Sequence, residues 1–86
     1  MSIIDNGVTI AHDNKISPCV HFAPRASTGG GVSVGHSTIV GIGASIATGI
    51  VIGSRCIISV GSSVTKNIDD LCVVEGVPGR VIGTRK

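Results

Sequence analysis

Residues 34–64 read VGHSTI VGIGAS IATGIV IGSRCI ISVGSS V, and broken in this way every block opens on an aliphatic residue: Val34, Val40, Ile46, Ile52, Ile58 and Val64. A six-residue recurrence matches neither the helical period nor the alternation of a flat strand. Counting back by sixes extends the frame through Thr28, Phe22, Ile16, Ile10 and Ile4, with Thr28 as its one polar member. The residue after each is small or acidic (Asp5, Ala11, Ser17, Ala23, Gly29, Gly35, Gly41, Ala47, Gly53, Ser59, Thr65). Four places after each stands a second, mostly small residue, in the series Val8, Asn14, Val20, Ala26, Val32, Thr38, Ala44, Ile50, Cys56, Ser62, Ile68.

A chain that turns a corner every six residues winds a triangular prism, three hexads to a coil, so residues eighteen apart stack at about 4.8 Å. The frame then predicts three inner columns: Ile4, Phe22, Val40, Ile58; Ile10, Thr28, Ile46, Val64; and Ile16, Val34, Ile52. Small residues beside each column let the backbone bend without a Cβ clash. The fold class expected is all-β, a parallel β-helix of about four coils over residues 1–70. After the charged break at Lys66 to Asp70, residues 71–86 form a short C-terminal cap, read as an apolar hairpin or strand folding back over the last coil, and a basic tail.

At 86 residues, with Phe22 as its one aromatic, the chain is a single small domain with a core of stacked Val and Ile. The prism faces are flat and its ends open, so association of several chains along those faces is expected. The three cysteines, Cys19, Cys56 and Cys72, are unclustered and lack a CxxC spacing. That usage argues for a reducing compartment and against a structural metal. The absence of a signal peptide and of a long apolar run points to a cytoplasmic protein. A net charge of +2 without a basic stripe or stacking aromatics argues against nucleic acid. The triple glycine Gly29, Gly30, Gly31 and the pair Gly41 and Gly43 are followed by no amphipathic helix, which a dinucleotide loop requires. They read as tight corners.

Chemistry concentrates between Val8 and His21, where His12, Asp13 and His21 stand at corners and outward positions. The hexads, the pair His12 and Asp13, His21 nine residues later, the Gly30 region eighteen after His12, and the closing run Val77, Pro78, Gly79, Arg80, Val81, Ile82 together resemble the sialic acid and bacillosamine acetyltransferases. That family belongs to the left-handed β-helix, hexapeptide-repeat acyltransferases, and the resemblance alone supplies the handedness. It implies that His12 is the general base toward an amine or hydroxyl acceptor, with Asp13 raising its basicity. It further implies that His21, Gly30, Ile42 and Val60 line the acetyl-CoA site. Arg80, with Arg25, Arg85 and Lys86, is a cation placed to meet CoA phosphates. No metal is expected. Family members are homotrimers with the site between neighbouring prisms, and they carry an α/β subdomain ahead of the solenoid that this chain is expected to lack.

Two function classes follow: an acetyl-CoA-dependent acetyltransferase acting on a small molecule, above all a sugar, and a non-catalytic homotrimeric scaffold that retains CoA binding. A β-helical metalloenzyme with three His ligands fits poorly, because His12, His21 and His36 are spaced nine and fifteen apart with no pair five apart. His36 reads as a plain corner residue.

Overall fold

The computed structural model describes residues 3–85; Met1, Ser2 and Lys86, the last residue of the expected basic tail, lie outside the described residues. Eleven two-residue strands, β1 (Ile3–Ile4) through β11 (Ser63–Val64), recur at six-residue intervals and are followed by β12 (Cys72–Glu75) and β13 (Arg80–Thr84). They build the three faces of a prism. The first face stacks β1, β4 (His21–Phe22), β7 (Ile39–Val40), β10 (Ile57–Ile58), β12 and β13. The second stacks β2 (Thr9–Ile10), β5 (Ser27–Thr28), β8 (Ser45–Ile46) and β11, and the third β3 (Lys15–Ile16), β6 (Ser33–Val34) and β9 (Val51–Ile52).

Parallel register sets Ile4 on Phe22, Phe22 on Val40 and Val40 on Ile58. It likewise aligns Ile10, Thr28, Ile46 and Val64, and Ile16, Val34 and Ile52. All three expected columns are therefore present. Phe22, Val34, Val40, Ile52, Ile58 and Val64 are each at most 1% exposed. A fully buried Val, Ile or Phe side chain contributes roughly 1.5–3 kcal/mol. Thr28 survives in this apolar stack because Asn14 Nδ2 donates to its hydroxyl at 2.6 Å and to Ala11 O at 3.0 Å, while Asn14 Oδ1 accepts the Val32 N–H at 2.7 Å.

The turns obey a rule beyond small size. Left-handed backbone recurs at every sixth position, Gly7, Asp13, Cys19, Arg25, Gly31, Ser37, Gly43, Gly49, Arg55 and Gly61, all with φ between +57° and +76°. Each stands three places after its core residue. The glycines one place after the core residue do a different job: a Cβ on Gly35 would lie 2.6 Å from the Gly53 carbonyl carbon, and one on Gly41 2.7 Å from Ile58 O.

The break at Lys66 is a corner shortened by two residues. Ile68, rather than residue 70, bridges to Ile52, and Val74 rather than residue 76 pairs with Ile58. β12 thus extends the first face in parallel, and only β13 turns back antiparallel to it, closing the hairpin expected in the cap. Its turn sits on the last coil, with Ser63 N–H donating to Gly76 O at 3.0 Å and Gly79 N–H to Ser63 O at 2.7 Å.

Candidate functional site

Three edges separate the faces, and the sequence-predicted residues fall on two of them. The edge between the second and third faces carries His12, then Gly30 one rung on, then Thr48. The rungs are tied by Gly31 N–H to His12 O at 3.3 Å and Gly49 N–H to Gly30 O at 3.0 Å. The His12 and Asp13 side chains are 87% and 85% exposed, and His12 Nδ1 lies 3.0 Å from Asp13 Oδ2. Asp13 can face its neighbour because its own backbone is left-handed, φ +62°, a conformation Asp tolerates better than most residues.

An ionised carboxylate only accepts, so this contact places the imidazole proton on Nδ1 and leaves the lone pair on Nε2. Gly30 keeps the space over the ring open. A Cβ there would stand 3.6 Å from His12 Cε1 and 3.9 Å from Nε2, ordinary contact for a methyl and a cover for anything longer. The structure thus brings His12, Asp13 and Gly30 together.

The other predicted residues gather along the edge between the first and second faces. Ile42 and Val60 stack there, 51% and 71% exposed, with Gly61 N–H donating to Ile42 O at 2.8 Å. Apolar side chains left in water at a corner offer a surface for an aliphatic or peptide-like arm. Arg80 opens β13 just after the cap turn, on the rung beyond Val60, and is exposed. His21 lies on the first face beside this edge, paired between Ile3 and Ile39. Its Nε2 is turned away from solvent without a hydrogen-bond partner, 4.0 Å from Asp5 Oδ2. An unpartnered ring nitrogen costs about 1–3 kcal/mol, so an additional donor or acceptor beside it would be favourable. Neither edge alone holds all the predicted groups.

The third edge escaped the sequence reading. His36, Ser54, Arg55, Asp70 and Leu71 line a cleft of about 240 Å³ there, and Arg85 Nη1 donates to Ser37 O at 2.9 Å. Arg85, in the expected basic tail, is thereby held on this edge. Arg55 occupies a left-handed position, φ +57°, where glycine is the cheaper residue, a strain that residue type alone does not reveal. Arg25, the other arginine at such a position, is exposed next to Gly7, whose Cβ would meet its Cγ at 3.3 Å. Among the described residues, no group of three His, Cys, Asp or Glu is placed to hold a metal ion. Among the same residues, no helix is long and apolar enough to cross a membrane.

Comparison with solved structures gives close likenesses. The chain is 32% identical to a variant of GDP-perosamine N-acetyltransferase from Caulobacter crescentus in complex with CoA and GDP-perosamine, with TM-score 0.94, covering 95% of this chain and 39% of that one. It is 26% identical to a maltose O-acetyltransferase from Clostridium difficile, with TM-score 0.77, over 99% of this chain and 59% of that one. The acetyltransferase domain of PglB from Neisseria gonorrhoeae shares the fold, at 24% identity and TM-score 0.90 over 94% of this chain and 42% of that one. The chain spans about two fifths to three fifths of the length of these proteins. No protein-family model matches the chain, and no curated protein matches it by sequence. Six-residue frame, stacked register and these likenesses together give the chain the left-handed β-helix fold of the hexapeptide-repeat acetyltransferases that are its structural neighbours.

Proposed function

We propose that the chain is the solenoid of an acetyl-CoA-dependent acetyltransferase that delivers an acetyl group to an amine or hydroxyl of a small molecule, a sugar above all. One observation carries the reading: an exposed imidazole with Nδ1 held by Asp13 at 3.0 Å and the space over its ring kept open by Gly30. Further support comes from solved relatives, one holding CoA with GDP-perosamine and one holding acetyl coenzyme A. Acetyl-CoA, when bound, supplies an activated acetyl thioester.

His12 Nε2 accepts the proton of the acceptor amine or hydroxyl as that group attacks the acetyl carbon, and later returns it to the departing sulfur. Asp13 keeps the ring in the required tautomer. Ile42 and Val60 give the CoA arm an apolar edge, the outward backbone near Gly30 faces the reacting carbonyl, and Arg80 stands where a phosphate would end. His21, whose side chain is partly exposed beside this edge, adds a contact to that arm. Because these groups occupy two edges of one prism, a second copy must bring its edge against His12. A homotrimer with flat faces in contact satisfies this. The unclustered cysteines, without a CxxC spacing, support a reducing, cytoplasmic setting.

The test is a melting curve with saturating acetyl-CoA, followed by turnover assays on amino-sugar and sugar acceptors. Binding at a hundredfold over Kd stabilises by about 2.7 kcal/mol, a rise of roughly ten degrees or more for a domain this small. His12→Ala should keep that rise and lose turnover by about 10²–10⁴-fold. No rise would overturn the CoA assignment. A rise without turnover by the unaltered protein would leave a CoA-binding scaffold.

A further inference from the structure

The sequence frame treats Cys56 and Cys72 as unrelated, since a strict eighteen-residue step would stack Cys56 on Val74. The shortened corner changes this. Ile57 pairs with Val73 and Ile58 with Val74, so the residues immediately before them, Cys56 and Cys72, lie directly over one another on successive rungs. Stacked Cα atoms in a parallel ladder are about 4.8 Å apart, inside the roughly 4.4–6.8 Å that a disulfide bridges. Both sulfurs also hang from one corner. Cys56 Sγ donates to Asp69 O at 3.1 Å and Cys72 Sγ to Asp70 O at 3.6 Å, carbonyls of adjacent residues. Cys56 is fully buried and Cys72 partly exposed, and both are free thiols.

We propose that Cys56 and Cys72 are a disulfide-forming pair, a modification site that clasps the C-terminal hairpin to the last full coil. The oxidant is a peroxide. Cys72 is the point of entry, because an oxidant reaches its partly exposed sulfur first. Its S–H is oxidised to a sulfenic acid, with the peroxide O–O bond broken and one water released. The Cys56 sulfur then attacks the Cys72 sulfur; the S–S bond forms, the S–O bond breaks, and the Cys56 proton leaves with the hydroxyl as a second water. Burial pushes the Cys56 thiol above its ordinary range, with the nearby Cys72 and Asp70 adding to the rise. Cys56 is accordingly the second sulfur to react and not the sensor. A dithiol reverses the bond by exchange.

The clasp has a mechanical consequence. β12 carries β13, and Arg85 at the hairpin's end donates through its backbone to Leu71 O and through its guanidinium to Ser37 O. Oxidation would pin this whole cap, Arg80 included, to the rung beneath.

The test uses the full chain with Cys19→Ser, which removes the exposed thiol. The protein is treated with hydrogen peroxide, its thiols are counted by alkylation after denaturation, and the peptides are mapped. The expected result is simultaneous loss of both thiols, a peptide linking Cys56 to Cys72 within one chain, and reversal by dithiothreitol. Closing the loop of residues 57–71 should raise Tm by on the order of ten degrees. In the Cys19→Ser, Cys72→Ser protein, peroxide should leave Cys56 unmodified and Tm unchanged. Retention of both thiols, overoxidation of Cys72 with Cys56 still free, or links only between chains would each overturn the proposal.

Discussion

Two kinds of glycine line the corners, and exchanging each for alanine should cost different amounts for different reasons. Gly35 has ordinary backbone, but its missing Cβ would approach the Gly53 carbonyl carbon and the Ser54 nitrogen at 2.6 Å. Reaching the 3.4 Å of ordinary contact means parting the two rungs by about 0.8 Å. Those rungs are joined beside the site by Gly35 N–H to Ile52 O at 2.8 Å, and a parting of that size breaks such a bond. Losing one or two backbone hydrogen bonds, with the strain of overpacking, costs about 2–3 kcal/mol. Gly43 is the opposite case: nothing lies within 4 Å of its Cβ position, but its φ is +67°. Alanine there pays only the left-handed strain, about 1 kcal/mol. The same slot as Gly35 carries Ala11, Ala23 and Ala47, so the expected penalty belongs to the positions where the next rung closes on the missing Cβ, Gly35 and Gly41 among them. Circular-dichroism melting should show Gly35→Ala lowering Tm by roughly ten to twenty degrees and Gly43→Ala by about five. Equal losses, or a larger loss at Gly43, would refute the argument that rung contact outweighs backbone conformation.

Asn14→Ala should lower stability by about 2–3 kcal/mol, because it strands the Val32 N–H and the Thr28 hydroxyl; adding Thr28→Val should recover part of the loss in urea unfolding. Gly30→Ala should leave acetyl transfer nearly intact, whereas Gly30→Leu, which covers the His12 ring, should reduce turnover at least tenfold at unchanged Tm; loss of Tm in the leucine variant would point to packing instead. The raised Cys56 thiol, shifted first by burial, keeps its proton in the folded state after the unfolded chain has released its own near pH ~8.5. Stability should therefore fall as pH rises from there through the folded-state value, and Cys56→Ala should flatten that fall in melts between pH 7 and 10.

The sequence exposed the fold through residues that repeat, and it failed where geometry depends on a count. Val34 to Val64 announce the columns because each inward side chain must meet its copy one coil later. The left-handed positions were equally periodic, yet Asp13, Cys19, Arg25, Ser37 and Arg55 among the glycines hid them, since a residue-type search sees composition and not φ. Thr28 looked like a defect until Asn14, fourteen residues away, supplied its partner. The shortened corner after Val64 was visible as charge but not as a shift of register. For that reason the stacking of Cys56 with Cys72 and the cleft at Arg55 were not legible. At the candidate site, His12, Asp13 and Gly30 could be joined on paper by the eighteen-residue step, whereas His21 depends on which way its ring turns, which spacing does not encode.

The antiparallel β13 finishes a pile in which every earlier strand runs the same way. A parallel pile can in principle accept another identical coil on its upper rim, and chains with such rims grow into fibres. On the first face the rim is a reversed strand bearing Arg80 at its start, so a second molecule arriving end-on finds the wrong direction and a positive charge there. On that face, lateral contact between prisms is the mode of assembly the reversed strand leaves open.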